Sequence, residues 1–152
     1  MKQPILVFGF GNPSRGDDAV GPLLLDYLAQ HIDQSRIELL CDFQLQIEHA
    51  LDIQGRKLVI FVDASVTGDH AFDFVPLKAC KDNSYTSHAM SPAALLMVYE
   101  SVMGQIAPLS YLLSIKAKAF ELGGSLSNST ADNLKQACLF AEQFLRNHAA
   151  EA

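Results

Sequence analysis

Two aspartates and one histidine stand at the ends of predicted structural elements, where side chains that bind metals or move protons are often found. Asp18 lies in a glycine-rich loop, Asp63 directly follows an apolar run, and His88 precedes a helix-start signal. Each residue alone has a simpler role, as a helix-end charge, a loop hydrogen-bond acceptor or an exposed side chain. Together, two carboxylates and an imidazole suit a divalent transition metal. They form a candidate metal site if the fold brings them together.

The first half of the chain alternates between predicted strands and helices. Short apolar runs predict buried strands at residues 4–9, 36–41 and 58–62. Apolar residues that recur every three or four positions predict an amphipathic helix over residues 20–31, and residues 47–53 predict a shorter helix. This β-α-β-α-β order predicts a parallel sheet with right-handed crossovers.

The second half completes the predicted sheet. Residues 72–75 predict an edge strand, antiparallel because no helix separates it from the strand before it. The remaining elements are a helix at 92–103, which begins at the signal Ser91-Pro92, a strand at 111–117 and a helix at 129–148. The predicted fold is a single three-layer α/β/α domain over residues 1–152, with a twisted, mostly parallel five-stranded sheet and helices on both faces. Its functional crevice is expected at the carboxyl ends of the strands, where the three candidate ligands lie.

Composition excludes several classes of partner. Apolar residues make up 49% of the chain and charged residues 18%, a mixture typical of a globular domain. The net charge of −6 leaves no basic surplus for nucleic acid or an anionic membrane. No apolar run approaches the ~20 residues of a spanning helix, and no signal-peptide pattern begins the chain, so we expect a cytoplasmic protein.

Common nucleotide and protease motifs are missing from the sequence. The glycine loop at residues 9–16 has the spacing GxGxxxxG, whereas the dinucleotide fingerprint needs GxGxxG at a helix start. Neither the nucleophile elbow GxSxG nor the zinc motif HExxH is present, and Glu48-His49 lacks a second histidine at helical spacing. A serine or zincin mechanism is therefore not expected.

The three cysteines are odd in number and widely spaced, without a CxxC pattern. We interpret Cys41, Cys80 and Cys138 as reduced thiols, and we predict Cys41 and Cys138 to be small buried side chains. An unrelated α/β hydrolase that uses Cys41 or Cys80 as its nucleophile remains an alternative.

Four segments, in order, resemble the nickel-iron hydrogenase maturation endopeptidases. They are ILVFGFGNPSRGDDAVG at residues 5–21, LVIFVDAS at 58–65, SHAMSPAALL at 87–96 and FELGGSLSNST at 120–130. The first is the longest and most specific match, and together they extend the resemblance over nearly the whole chain.

The resemblance implies a metal-assisted, aspartic-type endopeptidase with Asp18, Asp63 and His88 as nickel ligands and catalytic residues. The first ligand is often glutamate in relatives and is the shorter Asp18 here, with Asp17 as a supporting neighbour bonded to loop amides. Nickel would be presented by the partner, the precursor of a hydrogenase large subunit, whose C-terminal extension is then removed. The alternative is a non-catalytic nickel-sensing scaffold or chaperone of hydrogenase assembly. Nothing in the sequence indicates the oligomeric state.

Overall fold

The computed structural model describes residues 2–12, 14, 16–81, 90–118 and 126–151 of the chain. The strands are β1 (Ile5–Phe10), β2 (Ile37–Asp42), β3 (Leu58–Ser65), β4 (Phe72–Leu77) and β5 (Leu109–Lys116). The helices are α1 (Val20–His31), α2 (Ala50–Ile53), α3 (Pro92–Met103) and α4 (Asn128–Glu151), with 3-10 turns at Gly16–Ala19 and Ile47–His49. Among the described helices, none combines the length and apolar character needed to cross a membrane.

The strands form one sheet in the order β2-β1-β3-β5-β4. β1 pairs in parallel with β2 and β3, and β3 pairs in parallel with β5. β4 is antiparallel and pairs with β5, so it lies at the edge, as predicted, although its neighbour is not the strand that precedes it in the chain. The predicted five-stranded, mostly parallel sheet is confirmed.

Helices cover both faces of the sheet because its central strands are apolar on both sides. One face packs against α1 and α4 and buries Ile5, Val7, Ile60, Val62, Leu113 and Ile115. The other packs against α2 and α3 and buries Leu6, Phe8, Val59 and Phe61. Successive residues of β1 and β3 thus enter opposite cores, and the predicted three-layer arrangement is confirmed.

Sequence patterns located α1 and α3 to the residue but missed several details elsewhere. β5 begins two residues before its predicted start, and residues 47–53 form a 3-10 turn followed by one α-helical turn. β3 continues to Ser65, so Asp63 lies within the strand instead of after it. Cys138 is buried as predicted, but the prediction for Cys41 is wrong: it is exposed because β2 is an edge strand whose carboxyl end leaves the core.

Gly21 allows the beginning of α1 to lie directly against the ends of two strands. A Cβ atom at this position would stand 2.9 Å from the carbonyl oxygen of Phe10 and 3.2 Å from that of Val62. These neighbours are backbone atoms of a sheet and cannot move aside cheaply. The absence of a side chain therefore brings the preceding turn, with Asp17 and Asp18, to the carboxyl edge of the sheet.

Asp17 fixes that turn through a buried carboxylate that is 1% exposed. It accepts hydrogen bonds from the backbone N–H of Lys118 (2.7 Å) and of Ser127 (2.9 Å). The hydroxyls of Ser127 and Thr130 also donate to it, at 2.9 and 2.6 Å. Since Ser127 and Thr130 flank the beginning of α4, the negative charge also meets the positive end of that helix dipole. One side chain thereby ties the turn before α1 to the segment that follows β5 and to the beginning of α4.

Removal of this carboxylate should destabilise the whole domain. We expect Asp17→Ala to lower the free energy of unfolding by about 3–5 kcal/mol, because several buried donors lose a charged partner. Urea denaturation followed by circular dichroism measures the change. The control Asp26→Ala replaces an exposed aspartate of α1 and should stay within about 0.5 kcal/mol of the wild type. Equal effects of the two variants would contradict the role given to Asp17.

The same carboxylate should make stability depend on pH in the acid range. Burial raises the pKa of Asp17, but the hydrogen bonds from Thr130, Ser127 and Lys118 outweigh burial and hold this pKa well below its ordinary value. Its contribution to stability is complete above the pKa of the unfolded chain and is lost as the pH falls towards that of the folded state. The stability difference between wild type and Asp17→Ala should therefore shrink from about pH 4 to about pH 2. A constant difference over this range would contradict the argument.

Candidate active site

An open cleft of about 620 Å³ lies at the carboxyl edge of the sheet. From β1 the chain continues to β2 on one side of β1 and then crosses to β3 on its other side. The direction in which strands are added therefore reverses at β1. Parallel α/β sheets bind ligands at such a switch point. The described residues that line the cleft are Phe10, Gly11, Asn12, Asp18, Asp42, Phe43, Gln44, Leu45, Gln46, Asp63 and Met90.

Asp18 enters the cleft from the 3-10 turn before α1. Its Oδ2 atom accepts a hydrogen bond of 2.8 Å from the backbone N–H of Asn12. Gly11 makes this approach possible, since its φ of 146° is one that side-chain-bearing residues rarely adopt, and a Cβ there would stand 2.3 Å from the carbonyl oxygen of Asp18. The glycine loop therefore serves to hold Asp18 at the end of β1.

Asp63 reaches the same cleft from β3, which lies beside β1. The pKa of Asp63 is raised to about 7, mainly by burial and also by the nearby negative charge of Asp18, while a hydrogen bond from the backbone of Ala64 opposes the rise. Two neighbouring carboxylates in a partly buried cleft repel each other when both are charged. A bound cation would relieve that repulsion, and so would protonation of one carboxyl group.

The structure therefore brings together two of the three predicted ligands. His88 lies outside the described residues, and within the part of the chain that is described no set of three His, Cys, Asp or Glu side chains is placed to hold a metal ion. The ligand set Asp18, Asp63 and His88 stays a prediction. The adjacent acids have separate roles: Asp18 lines the cleft, whereas Asp17 is bonded to the loop amides of Lys118 and Ser127, as predicted.

Sequence reasoning missed the wall of the cleft that follows β2. Asp42, at the end of that strand, lines the cleft and pairs with His49 across 3.2 Å. The sequence does carry a signal for this wall, because Asp42 directly follows the parallel strand predicted at residues 36–41 and is therefore expected at the same edge of the sheet as Asp63. The sequence gives no comparable signal for His49, because the absence of a second histidine at helical spacing argues only against a zinc motif.

Neither cysteine offered as an alternative nucleophile suits that role. Although Cys41 as a residue is exposed, partial loss of solvent around its thiol raises the pKa of that group, and the nearby carboxylates of Asp26 and Asp42 raise it further. Reactive cysteines have the opposite surroundings, with positive charge that lowers the pKa. Cys80 is exposed, and neither thiol is among the described residues that line the cleft.

No protein-family model and no curated protein sequence matches the chain. Solved structures do match it. The hydrogenase maturating endopeptidase HybD from E. coli superposes with a TM-score of 0.75 at 21% identity, over 97% of this chain and 94% of that one. The [NiFe] hydrogenase maturation protease HycI from Thermococcus kodakarensis gives 0.74 at 21% identity, over 95% and 94%. The hydrogenase 2 maturation peptidase from a Thaumarchaeota archaeon gives 0.68 at 20% identity, over 94% and 98%.

At these identities the likeness concerns the fold, and in each pair it extends over nearly the full length of both chains. The sequence segments at residues 5–21, 58–65, 87–96 and 120–130 resemble the same group of proteins, and the alternation of strands and helices predicts the same three-layer architecture. The expected fold is therefore confirmed: this chain has the fold of the [NiFe] hydrogenase maturation proteases.

Proposed function

We propose that this chain is an endopeptidase that removes the C-terminal extension from the nickel-loaded precursor of a [NiFe] hydrogenase large subunit. The observation that carries the proposal is the placement of Asp18 and Asp63 in one cleft, at the switch point of a fold shared along its length with hydrogenase maturation endopeptidases. The sequence resemblance assigns metal-binding roles to these same two residues.

In the proposed reaction the nickel ion is part of the substrate. Asp18 and Asp63 contribute carboxylate oxygens to it and His88 contributes an imidazole nitrogen, a donor set that suits a divalent transition metal. A metal ion held in this way can polarise the scissile carbonyl or lower the pKa of a water molecule. The protein's own part is to hold the carboxylates in place, through the Asn12 N–H for Asp18 and through β3 for Asp63.

The volume and lining of the cleft suit a peptide segment. Its volume of about 620 Å³ lies within the usual range of ligand sites, and it is open to solvent. Phe43, which is 65% exposed, and Met90 offer apolar contacts, while Gln44 and Gln46 offer amide groups that can pair with a peptide backbone. A C-terminal tail can therefore lie across the cleft beside the two carboxylates.

We place this reaction in the cytoplasm as part of the same proposal. Cys41, Cys80 and Cys138 are all free thiols in the structure. Unpaired cysteines are typical of reducing compartments.

The central prediction is that cleavage depends on nickel in the substrate. The purified chain, mixed with nickel-loaded large-subunit precursor, should shorten the precursor by its C-terminal extension, and mass spectrometry detects the loss. Nickel-free precursor should stay intact, because the carboxylates then have no ion to bind. Binding of the loaded precursor without cleavage would instead support a non-catalytic nickel-sensing scaffold.

A second prediction concerns the two carboxylates. We expect Asp18→Asn and Asp63→Asn each to lower kcat/KM by about 100-fold or more, because each removes an anionic oxygen ligand with little change in shape. Cys41→Ser and Cys80→Ser are the matched controls and should keep the wild-type rate. Loss of activity in a cysteine variant, with both aspartate variants active, would contradict the metal-assisted mechanism and favour a thiol nucleophile.

A further inference from the structure

His49 holds together the wall of the cleft that follows β2. Its imidazole is 12% exposed, and the ring packs edge-on against Phe8 with centroids 4.6 Å apart. Nδ1 accepts a hydrogen bond of 2.8 Å from the backbone N–H of Gln46. Because Nδ1 is an acceptor, the ring proton of the neutral imidazole lies on Nε2, which donates to Oδ2 of Asp42 at 3.2 Å. One side chain thus joins both ends of the segment 42–46.

That segment forms one side of the cleft. All five residues of the segment line the cleft. The side chain of Leu45 anchors the segment to the core, where it is only 2% exposed. A second hydrogen bond holds the Asp42 carboxylate at the start of the segment, where its Oδ1 accepts from the backbone N–H of Phe43 at 2.7 Å. The carboxylate therefore has a fixed orientation although its side chain is 48% exposed.

We propose that His49 is a positioning residue of this cleft, which aligns the Asp42 carboxylate to bind the substrate segment that lies beside Asp18 and Asp63. The proposal rests on the endopeptidase function proposed above and adds a substrate contact to it. His49 does not touch the substrate, and it acts through Asp42 and through the shape of residues 42–46.

The chemistry of the lining indicates what Asp42 binds. A carboxylate has about four acceptor positions, and the Asp42 contacts to Phe43 and His49 leave others directed to solvent. The described lining of the cleft has three charged residues, all acidic; Asp18 and Asp63 are the proposed nickel ligands, so Asp42 is the one left to pair with a charge on the substrate. A basic side chain of the substrate, close to the bond that is cut, matches both the charge and the acceptors.

Two substitutions separate the hydrogen bonds of His49. Glutamine places an amide N–H near the position of Nε2, so His49→Gln keeps a donor for Asp42 and loses the acceptor for Gln46. Asparagine places its oxygen near the position of Nδ1, so His49→Asn keeps the acceptor for Gln46 and loses the donor for Asp42. If His49 only caps the loop, the bond from the Gln46 N–H is the one that matters. If His49 aligns Asp42, the bond to the Asp42 carboxylate is the one that matters.

The test measures binding and cleavage of the nickel-loaded precursor by the wild type, Asp42→Asn, His49→Gln and His49→Asn. We expect Asp42→Asn and His49→Asn to raise both Kd and KM by about 10-fold, as loss of a charged hydrogen bond does, with kcat nearly unchanged. His49→Gln should stay closer to the wild type. Asp33→Asn is the control, since it makes the same charge change at an exposed site outside the cleft lining. Thermal unfolding establishes that each variant is folded.

The outcomes keep this inference distinct from the proposed function. The positioning role is wrong if Asp42→Asn keeps the wild-type KM and Kd. It is also wrong if His49→Asn behaves as the wild type while His49→Gln is defective. Neither result would affect the proposed endopeptidase function. A wild type that binds the loaded precursor without cutting it would overturn the endopeptidase function, and the Kd values would still test Asp42 and His49. If the wild type does not bind the loaded precursor, both proposals are wrong.

Discussion

The buried carboxylate of Asp17 is the interaction on which the site depends. A carboxylate that is 1% exposed is tolerated only because backbone and hydroxyl donors from Lys118, Ser127 and Thr130 surround it. Those donors belong to the segment that follows β5 and to the beginning of α4, so the contact fixes the turn before α1 against both. The next residue, Asp18, then lines the cleft. The two adjacent acids thus have different roles: Asp17 is hydrogen-bonded inside the protein, and Asp18 lines the cleft.

The rest of the site follows from the position of β1 within the sheet. β1 lies between β2 and β3, so the loops after these strands meet around its carboxyl end. Asp63 arrives from one side and Asp42 from the other, with Asp18 above the end of β1 itself. The glycines at positions 11 and 21 remove the side chains that would keep these segments apart. The cleft is acidic in its described lining because three chain segments each bring an aspartate to one edge.

Local patterns predicted the regular elements well and the irregular ones less well. The bounds of α1 and α3 were predicted to the residue, since an amphipathic period and a Ser-Pro start are signals within a few neighbouring residues. Residues 47–53 were harder, because the bonds among Asp42, Gln46 and His49 shape that segment as much as helix propensity does. The exposure of Cys41 was missed for a related reason: strand alternation does not reveal which strand lies at an edge.

The sequence by itself determined the order of strands and helices, the apolar surfaces they bury and the acids that stand at strand ends. It also carried the motif resemblance that named Asp18 and Asp63. Only the tertiary structure decided that β5 lies between β3 and β4, that Asp17 bonds to groups 101 to 113 residues away, and that His49 holds Asp42. The physical reason is that periodicity and capping act over one or two turns, whereas these contacts depend on which strands become neighbours once both faces of the sheet are covered.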